Sequence, residues 1–486
     1  MHRLQSLPFY YLTNSSMPKL LHAQSFYGFS SWLGRSIVAI YSKSPFEDIL
    51  SALSVCLPLS SLNINLKTIR DSGYNIIKMP AFKSGLPCFN EDWEGRRRCF
   101  APARATKLFA TILALIMCNL ASALVEEHAA VNESVLCYPA MFVFGDSLSD
   151  TGNGALTGNL LFKRTTNRPY GETVPGQPSG RFSDGLLLVD FLARQIGLPL
   201  PKPYLDRSAD FRTGVNYAVS GSTAQDVEYL RSMLITPLTK YSLDSQINWH
   251  ISLRTSKSSQ RTPSANGYTN GIYVLEIGGN DYIAALGSLK KYSPAYITEE
   301  LIPLVIAKIQ SSTEALYTIG ARNFLYVGIT PLGCASSLLA MFPSGVKDNN
   351  GCLQDLNLLS YNHGLSLLNL IRQLRSTYKD ANFVFFDYYG SYKHIIDNNL
   401  SFGISNTLDA CCGAGPKFPY RFNELLFCNS LSSSLLSTLC PDPNIFINWD
   451  GIHFTHNFNS LVFDLAIKKG SYLDPSNAFA NCNPSN

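Results

Sequence analysis

The chain has 486 residues, 46% of them apolar and 15% charged, with a formal net charge of +4. That length has room for about two or three domains, but residues 1–102 carry only short apolar runs with no sustained period, so one large domain is expected. Residues 1–123 hold 13 Lys or Arg against 6 Asp or Glu, leaving 26 against 29 of the chain's 39 and 35; with no basic cluster downstream to track a phosphate backbone, nucleic-acid binding is excluded as its role.

Residues 1–102 read as an N-terminal extension, unstructured or an artefact of the gene prediction. The sharper alternative is a targeting arm, since the first 46 residues are Ser-rich and contain no Asp or Glu. A secretory signal pattern follows at 103–123: Arg96–Arg98, Arg104 and Lys107 precede an apolar run from Leu108, and Ala121-Ser122-Ala123 forms an A-x-A-like exit. Asn119 interrupts the run, so it falls short of the roughly 20 apolar residues that a retained span needs. The mature form is expected to begin at Leu124, to carry no stable membrane span and to be secreted to the extracellular space or a vacuole. Eight of the 12 cysteines lie beyond residue 123, an even set that suits disulfides, and Cys334 with Cys352 would close a local loop. The spacings match no zinc-ligand pattern, so no metal is expected. Asn132-Glu133-Ser134 and Asn399-Leu400-Ser401 are glycosylation sequons.

From Ala140 onward, short apolar runs alternate with helical patterns, as in parallel strands joined by crossover helices. Strands are predicted at Ala140–Phe144, Ile272–Ile277, Phe324–Gly328 and Phe383–Asp387, and amphipathic helices at Glu299–Ile319 and Leu356–Leu374. The predicted fold class is α/β, a three-layer α/β/α sandwich around a central, mostly parallel sheet. Ligands of open parallel sheets bind beyond the carboxyl ends of strands. Gly145-Asp146-Ser147, Gly278-Gly279-Asn280-Asp281 and Thr330-Pro331-Leu332-Gly333 all fall there.

Ser147 directly follows a strand pattern, and a serine hydroxyl becomes nucleophilic only when a base takes its proton. Asp450 stands three residues before His453, so a single turn lets the carboxylate hold one ring nitrogen and leaves the other for the serine. Asn280 offers a side-chain amide and Gly221 an unobstructed N–H; with the Ser147 N–H they could form an oxyanion hole. Taken singly, each motif has a plainer reading: a helix cap at Ser147, a surface turn at Asp450, a loop glycine at Gly221 and an Asx turn at Asn280. His456 is the nearest rival base but lacks an Asp three positions earlier; His250, His363 and His394 read as structural or exposed.

In combination, the segments FGDSLSDTGN, NYAVSGSTA, GGND and WDGIHFT resemble the plant GDSL esterase/lipase family of the SGNH hydrolases, in the right order over Ala140–Ile467. Pro169-Tyr170-Gly171, Ser179–Gly185 and Gly328–Cys334 match as well. The resemblance implies a flavodoxin-like SGNH hydrolase domain over 124–486 and a secreted serine esterase without cofactor, acting on small acylated metabolites or lipids. Ser147, Asp450 and His453 would be its triad, and Ser147, Gly221 and Asn280 its oxyanion donors. The stretch Cys411–Tyr420 departs from the family's usual Cys-Cys-Gly-x-Gly-Gly-x-Tyr-Asn, which puts its disulfide in question. Two rivals are a glycan- or lipid-binding protein without turnover, and a lipase anchored through Leu108–Val125.

Overall fold

In the computed structural model, residues 137–174, 180–256, 261–429, 437–480 and 482 are described, all within one compact unit, Ser134–Asn486. The extension 1–102, the signal pattern 103–123, the apolar run Leu108–Val125 and the sequon at Asn132 lie outside the described residues. Among the described residues no helix is long and apolar enough to cross a membrane.

The four predicted strands form within a residue of their expected bounds, as β1 (Met141–Gly145), β3 (Ile272–Glu276), β4 (Asn323–Val327) and β5 (Asn382–Phe386). β2 (Gly214–Asn216) is an addition, too short to show a period in sequence. The order β5-β4-β3-β1-β2 is parallel throughout, and Leu473–Asp474 pairs antiparallel with the outer edge of β5.

Alternate residues of each strand enter opposite cores, as the pleat requires. Phe142, Phe144, Tyr273, Leu275, Phe324 and Tyr326 face one cluster; Met141, Val143, Ile272, Val274, Leu325 and Val327 face the other. The first cluster is covered by residues of α2 (Leu243–Thr255), α3 (Gly279–Leu286), α4 (Ile302–Thr318) and α5 (Gln354–Thr377), the second by α1 (Leu188–Gln195), α6 (Tyr388–Asp397) and α7 (His456–Phe463). The architecture is therefore a three-layer α/β/α sandwich. The helix predicted at Glu299–Ile319 begins with a π-helical turn, Ile297–Leu301, and becomes α-helical at Ile302, next to Pro303.

All eight cysteines after residue 123 are paired: Cys137–Cys482, Cys334–Cys352, Cys411–Cys440 and Cys412–Cys428. The expected Cys334–Cys352 loop forms. Both members of the vicinal pair are bonded despite the altered residues that follow them. A second parallel pair, β6 (Asn406–Ala410) with β7 (Phe446–Asn448), lies outside the main sheet.

Gly214 is the point of closest approach between β1 and β2. Its φ is +120°, and a Cβ added there would lie 1.9 Å from the Met141 carbonyl oxygen. Gly364, within α5, has open space at the same position. Gly214→Ala is expected to lower the unfolding free energy by about 2–4 kcal/mol. Gly364→Ala is expected to raise it by about 0.5–1 kcal/mol. Urea denaturation of both variants checks this contrast, which is lost if the two shift the midpoint alike.

Candidate active site

β1 ends at Gly145, whose N–H and carbonyl are both held by the buried Gln246 side chain of α2, at 2.8 Å each. The chain then turns, and Ser147 emerges at the carboxyl end of the sheet. The order 2-1-3-4-5 changes direction between β1 and β3, which is where open α/β sheets bind ligands.

On the β2 side, Tyr217 and Val219 continue alongside β1, donating to the carbonyls of Val143 and Gly145. That register carries Ser220, the residue before Gly221, up to Asp150 in the turn that follows Ser147. Two buried carboxylates clamp the Gly221 loop. Asp150 accepts the Ser220 N–H and hydroxyl, each at 2.8 Å, and Asp281 accepts the N–H groups of Ala224 and Gln225 at 2.7 and 2.9 Å. On the other side, β3 pairs Glu276 with Gly145, and Asn280 follows four residues later. Its amide donates to Asp146 Oδ2 at 3.0 Å, which fixes its orientation and leaves the second amide hydrogen over. The N–H groups of Ser147 and Gly221 donate to no protein group among the described residues.

The Asp450–His453 turn is suspended from β7. Cys412 N–H donates to the Trp449 carbonyl at 2.7 Å, and Trp449 N–H to the His453 carbonyl at 2.7 Å. Gly451 adopts φ +91°, and a Cβ there would lie 2.5 Å from the Phe422 ring, so the turn requires glycine. His453 Nδ1 lies 2.8 and 2.9 Å from the two Asp450 oxygens, and Nε2 lies 2.8 Å from Ser147 Oγ. All three residues are buried. A carboxylate only accepts, so Nδ1 carries the hydrogen and Nε2 is left to accept from the hydroxyl when the ring is neutral. The sequence-predicted trio is thus contiguous, and Asn280 shares with Ser147 a cleft walled by Ile283, Ile329, Leu332 and Phe454.

His456, His250 and His363 stand apart from this chain of contacts. His456 Nδ1 accepts the Leu186 N–H at 2.9 Å. His250 and His363 are buried against tyrosine hydroxyls, and burial pushes them down to about 3 and about 4.

Electrostatics divides the carboxyl groups around Ser147. Burial pushes Asp146 up to about 6 and Glu276 well above its ordinary range, the latter raised further by the Asp146 charge beside it. Burial would raise Asp450 too, but the His453 imidazole, the Arg164 guanidinium and the Tyr170 hydroxyl together hold it below the usual carboxylate range.

Two neighbours of the trio escaped the sequence reading. Tyr170 donates to Asp450 Oδ2 at 2.8 Å, and the Phe182 ring lies 4.4 Å from the His453 ring. Their segments were noted only as pieces that match the family; no spacing ties them to residues some 280 positions later.

Residues 141–466 match the GDSL-like lipase/acylhydrolase family. The chain is 35% identical to acetylajmalan esterase 2 of Rauvolfia serpentina over 331 residues, 67% of this chain and 89% of that protein. It is also 35% identical to a GDSL esterase/lipase of Arabidopsis thaliana over 351 residues, 69% of this chain and 91% of the relative. A second Arabidopsis GDSL esterase/lipase is 30% identical over 385 residues, 77% and 95% of the two chains. The chain belongs to the GDSL-like lipase/acylhydrolase family and is a carboxylic ester hydrolase.

Proposed function

We propose that the protein is a secreted serine esterase that works through an acyl-enzyme on Ser147. The observation that carries this reading is the unbroken line of contacts from Ser147 Oγ through both nitrogens of His453 to Asp450, buried from water. In the first step the serine oxygen bonds to the ester carbonyl carbon while its proton passes to His453 Nε2. The tetrahedral intermediate collapses, the C–O bond to the alcohol breaks, and the imidazolium returns the proton to the departing oxygen. Water repeats the sequence on the acyl-enzyme and releases the acid. Asp450 stays ionised throughout and stabilises the imidazolium.

The developing oxyanion would be received by the Ser147 N–H, the Gly221 N–H and the Asn280 amide, three donors held by the surrounding fold rather than recruited during reaction. The two steps call for no metal or cofactor. Small acylated metabolites are the favoured substrates: the relatives named acetylajmalan esterases support this, and the apolar walls of the cleft suit an acyl group. Lipid esters are the alternative within the same chemistry. Export through the secretory pathway agrees with the four disulfides. Asn399 is the described sequon asparagine, half-buried in a short turn. It is proposed as a glycosylation site together with Asn132.

The residues 124–486 protein is expected to hydrolyse p-nitrophenyl acetate faster than the octanoate. Ser147→Ala and His453→Ala should each lower kcat by about 10³-fold or more in folded protein. Retained turnover in either variant would remove the triad assignment. Asn280→Ala should lower kcat by about 10²–10³-fold with little change in KM, because its donor acts mainly on the transition state. An Asn280 variant that changes KM alone would place that side chain in substrate binding instead.

A further inference from the structure

Arg164 stands in a short 3-10 turn, Arg164–Thr166, and is 7% exposed. Three rings surround its guanidinium: its carbon lies 4.8 Å from the Phe427 centroid, 5.5 Å from Phe182 and 5.9 Å from Tyr170. Nη2 lies 3.8 Å from Asp450 Oδ2, beyond hydrogen-bond distance, while Nε and Nη1 are buried without a hydrogen-bond partner among the described residues. A buried cation with unpartnered donors is costly, and it is retained here beside the Asp450 carboxylate. Its contribution to that anion is therefore charge rather than hydrogen bonding.

The surroundings of Asp450 show what that charge does. Oδ1 accepts from the Ile452 N–H, the His453 N–H and His453 Nδ1; Oδ2 is shared by Nδ1, Tyr170 and the Arg164 charge. While His453 is neutral, Arg164 is the cation that balances the Asp450 carboxylate. Without it, the buried carboxylate would draw a proton onto His453 and so remove the base. Asp146, from the turn after β1, is the other carboxyl whose charge His453 feels.

Resting on the triad reading above, we propose that Arg164 is a charge-balancing positioning residue that sets the acid edge of activity, keeping His453 unprotonated and available as base in acidic medium. This gives a role to the segment ahead of Pro169-Tyr170-Gly171, and to Phe182, which the triad alone leaves unexplained. It also ties the disulfide-bonded loop to the chemistry, since Phe427 adjoins Cys428 and the Asn429 side chain donates to the Arg164 carbonyl at 3.3 Å.

The test is the rate at which a fluorophosphonate labels Ser147 between pH 4 and pH 9. In that reaction the Oγ–P bond forms, fluoride leaves and the serine proton passes to His453, so the rate reports the base without depending on substrate choice. Arg164→Met, which keeps the aromatic cage filled, should move the acid limb up by about one pH unit, as expected for a unit charge lost at an effective dielectric near 20. That amounts to about tenfold slower labelling on the acid slope, with the alkaline plateau within about threefold of wild type. Arg164→Lys should bring the limb back towards its wild-type position. Arg164→Gln, likewise uncharged but polar, should move the limb the same way and decides the matter if Arg164→Met does not fold. A limb unmoved in a folded neutral variant of Arg164, or a loss equal at every pH, overturns the proposal. Ester hydrolysis assayed alongside keeps the two readings separate: labelling without turnover would count against the esterase assignment and leave this inference standing.

Discussion

The contact on which the site depends is the 2.8 Å approach of His453 Nε2 to Ser147 Oγ, between residues 306 positions apart. A hydrogen bond in water contributes little net stability, and two flexible side chains would not hold that distance alone. The fold therefore fixes both ends through the backbone. Ser147 follows a strand with neighbours on both sides, anchored at Gly145 by Gln246. His453 stands in a turn suspended from β7 and from the vicinal cysteines, with Gly451 allowing the reversal. The Cys137–Cys482 bond then ties the chain just ahead of β1 to the segment after the last strand pairing. Both side chains are thus positioned by the fold itself, independently of any bound ligand.

Five buried carboxyl groups surround this contact, and their protonation is decided by charge more than by the number of donors. Asp150 accepts the N–H groups of Gly152, Asn153, Gly154 and Ser220 as well as the Ser220 hydroxyl, yet burial still raises it. Asp281, with the Ala224 and Gln225 N–H groups, is pushed up to about 7. Asp146 feels His453 and is nevertheless raised, because burial outweighs that attraction. Asp450 accepts fewer donors than Asp150 but faces both the imidazole and the Arg164 guanidinium, and it alone of the five is lowered. Dipoles orient these groups; net charge sets Asp450, beside His453 and Arg164, apart from the other four.

What was legible in the sequence follows from the same distinction between local and distant causes. β1, β3, β4 and β5 announced themselves because strands buried on both faces are continuous apolar runs. β2 did not, since three residues bounded by Gly214 and Asn216 carry no period. The Asp450–His453 relation could be read because three residues span one turn, and the Cys334–Cys352 loop because its ends are near in sequence. Arg164, Tyr170, Gln246 and the Cys137–Cys482 bond act across 100 positions or more, where no spacing rule reports contacts; Cys412–Cys428 is as local as Cys334–Cys352, but the adjacent Cys411 left its partner ambiguous. The family resemblance supplied the order of the motifs, which periodicity could not; it assigned no role to the residues that brace Asp450.

The altered stretch after Cys411-Cys412 shows why that resemblance tolerates change. Disulfide formation there depends on where the two cysteines are held: Cys411 N–H donates to the Asn448 carbonyl and Cys412 N–H to that of Trp449, so the β6–β7 pair sets both positions whatever follows. The residues that differ are free to take another path. Tyr420 and Arg421 adopt left-handed φ values of +53° and +54°, a conformation unfavourable for side-chain-bearing residues. Arg421 offsets that cost by donating to the Ala410 carbonyl and to Thr438. Beyond this bend the chain returns to Cys428 and sets Phe427 over Arg164. The loop can therefore vary between its cysteines while the Cys412–Cys428 bond at its base keeps Phe427 over Arg164, next to Asp450.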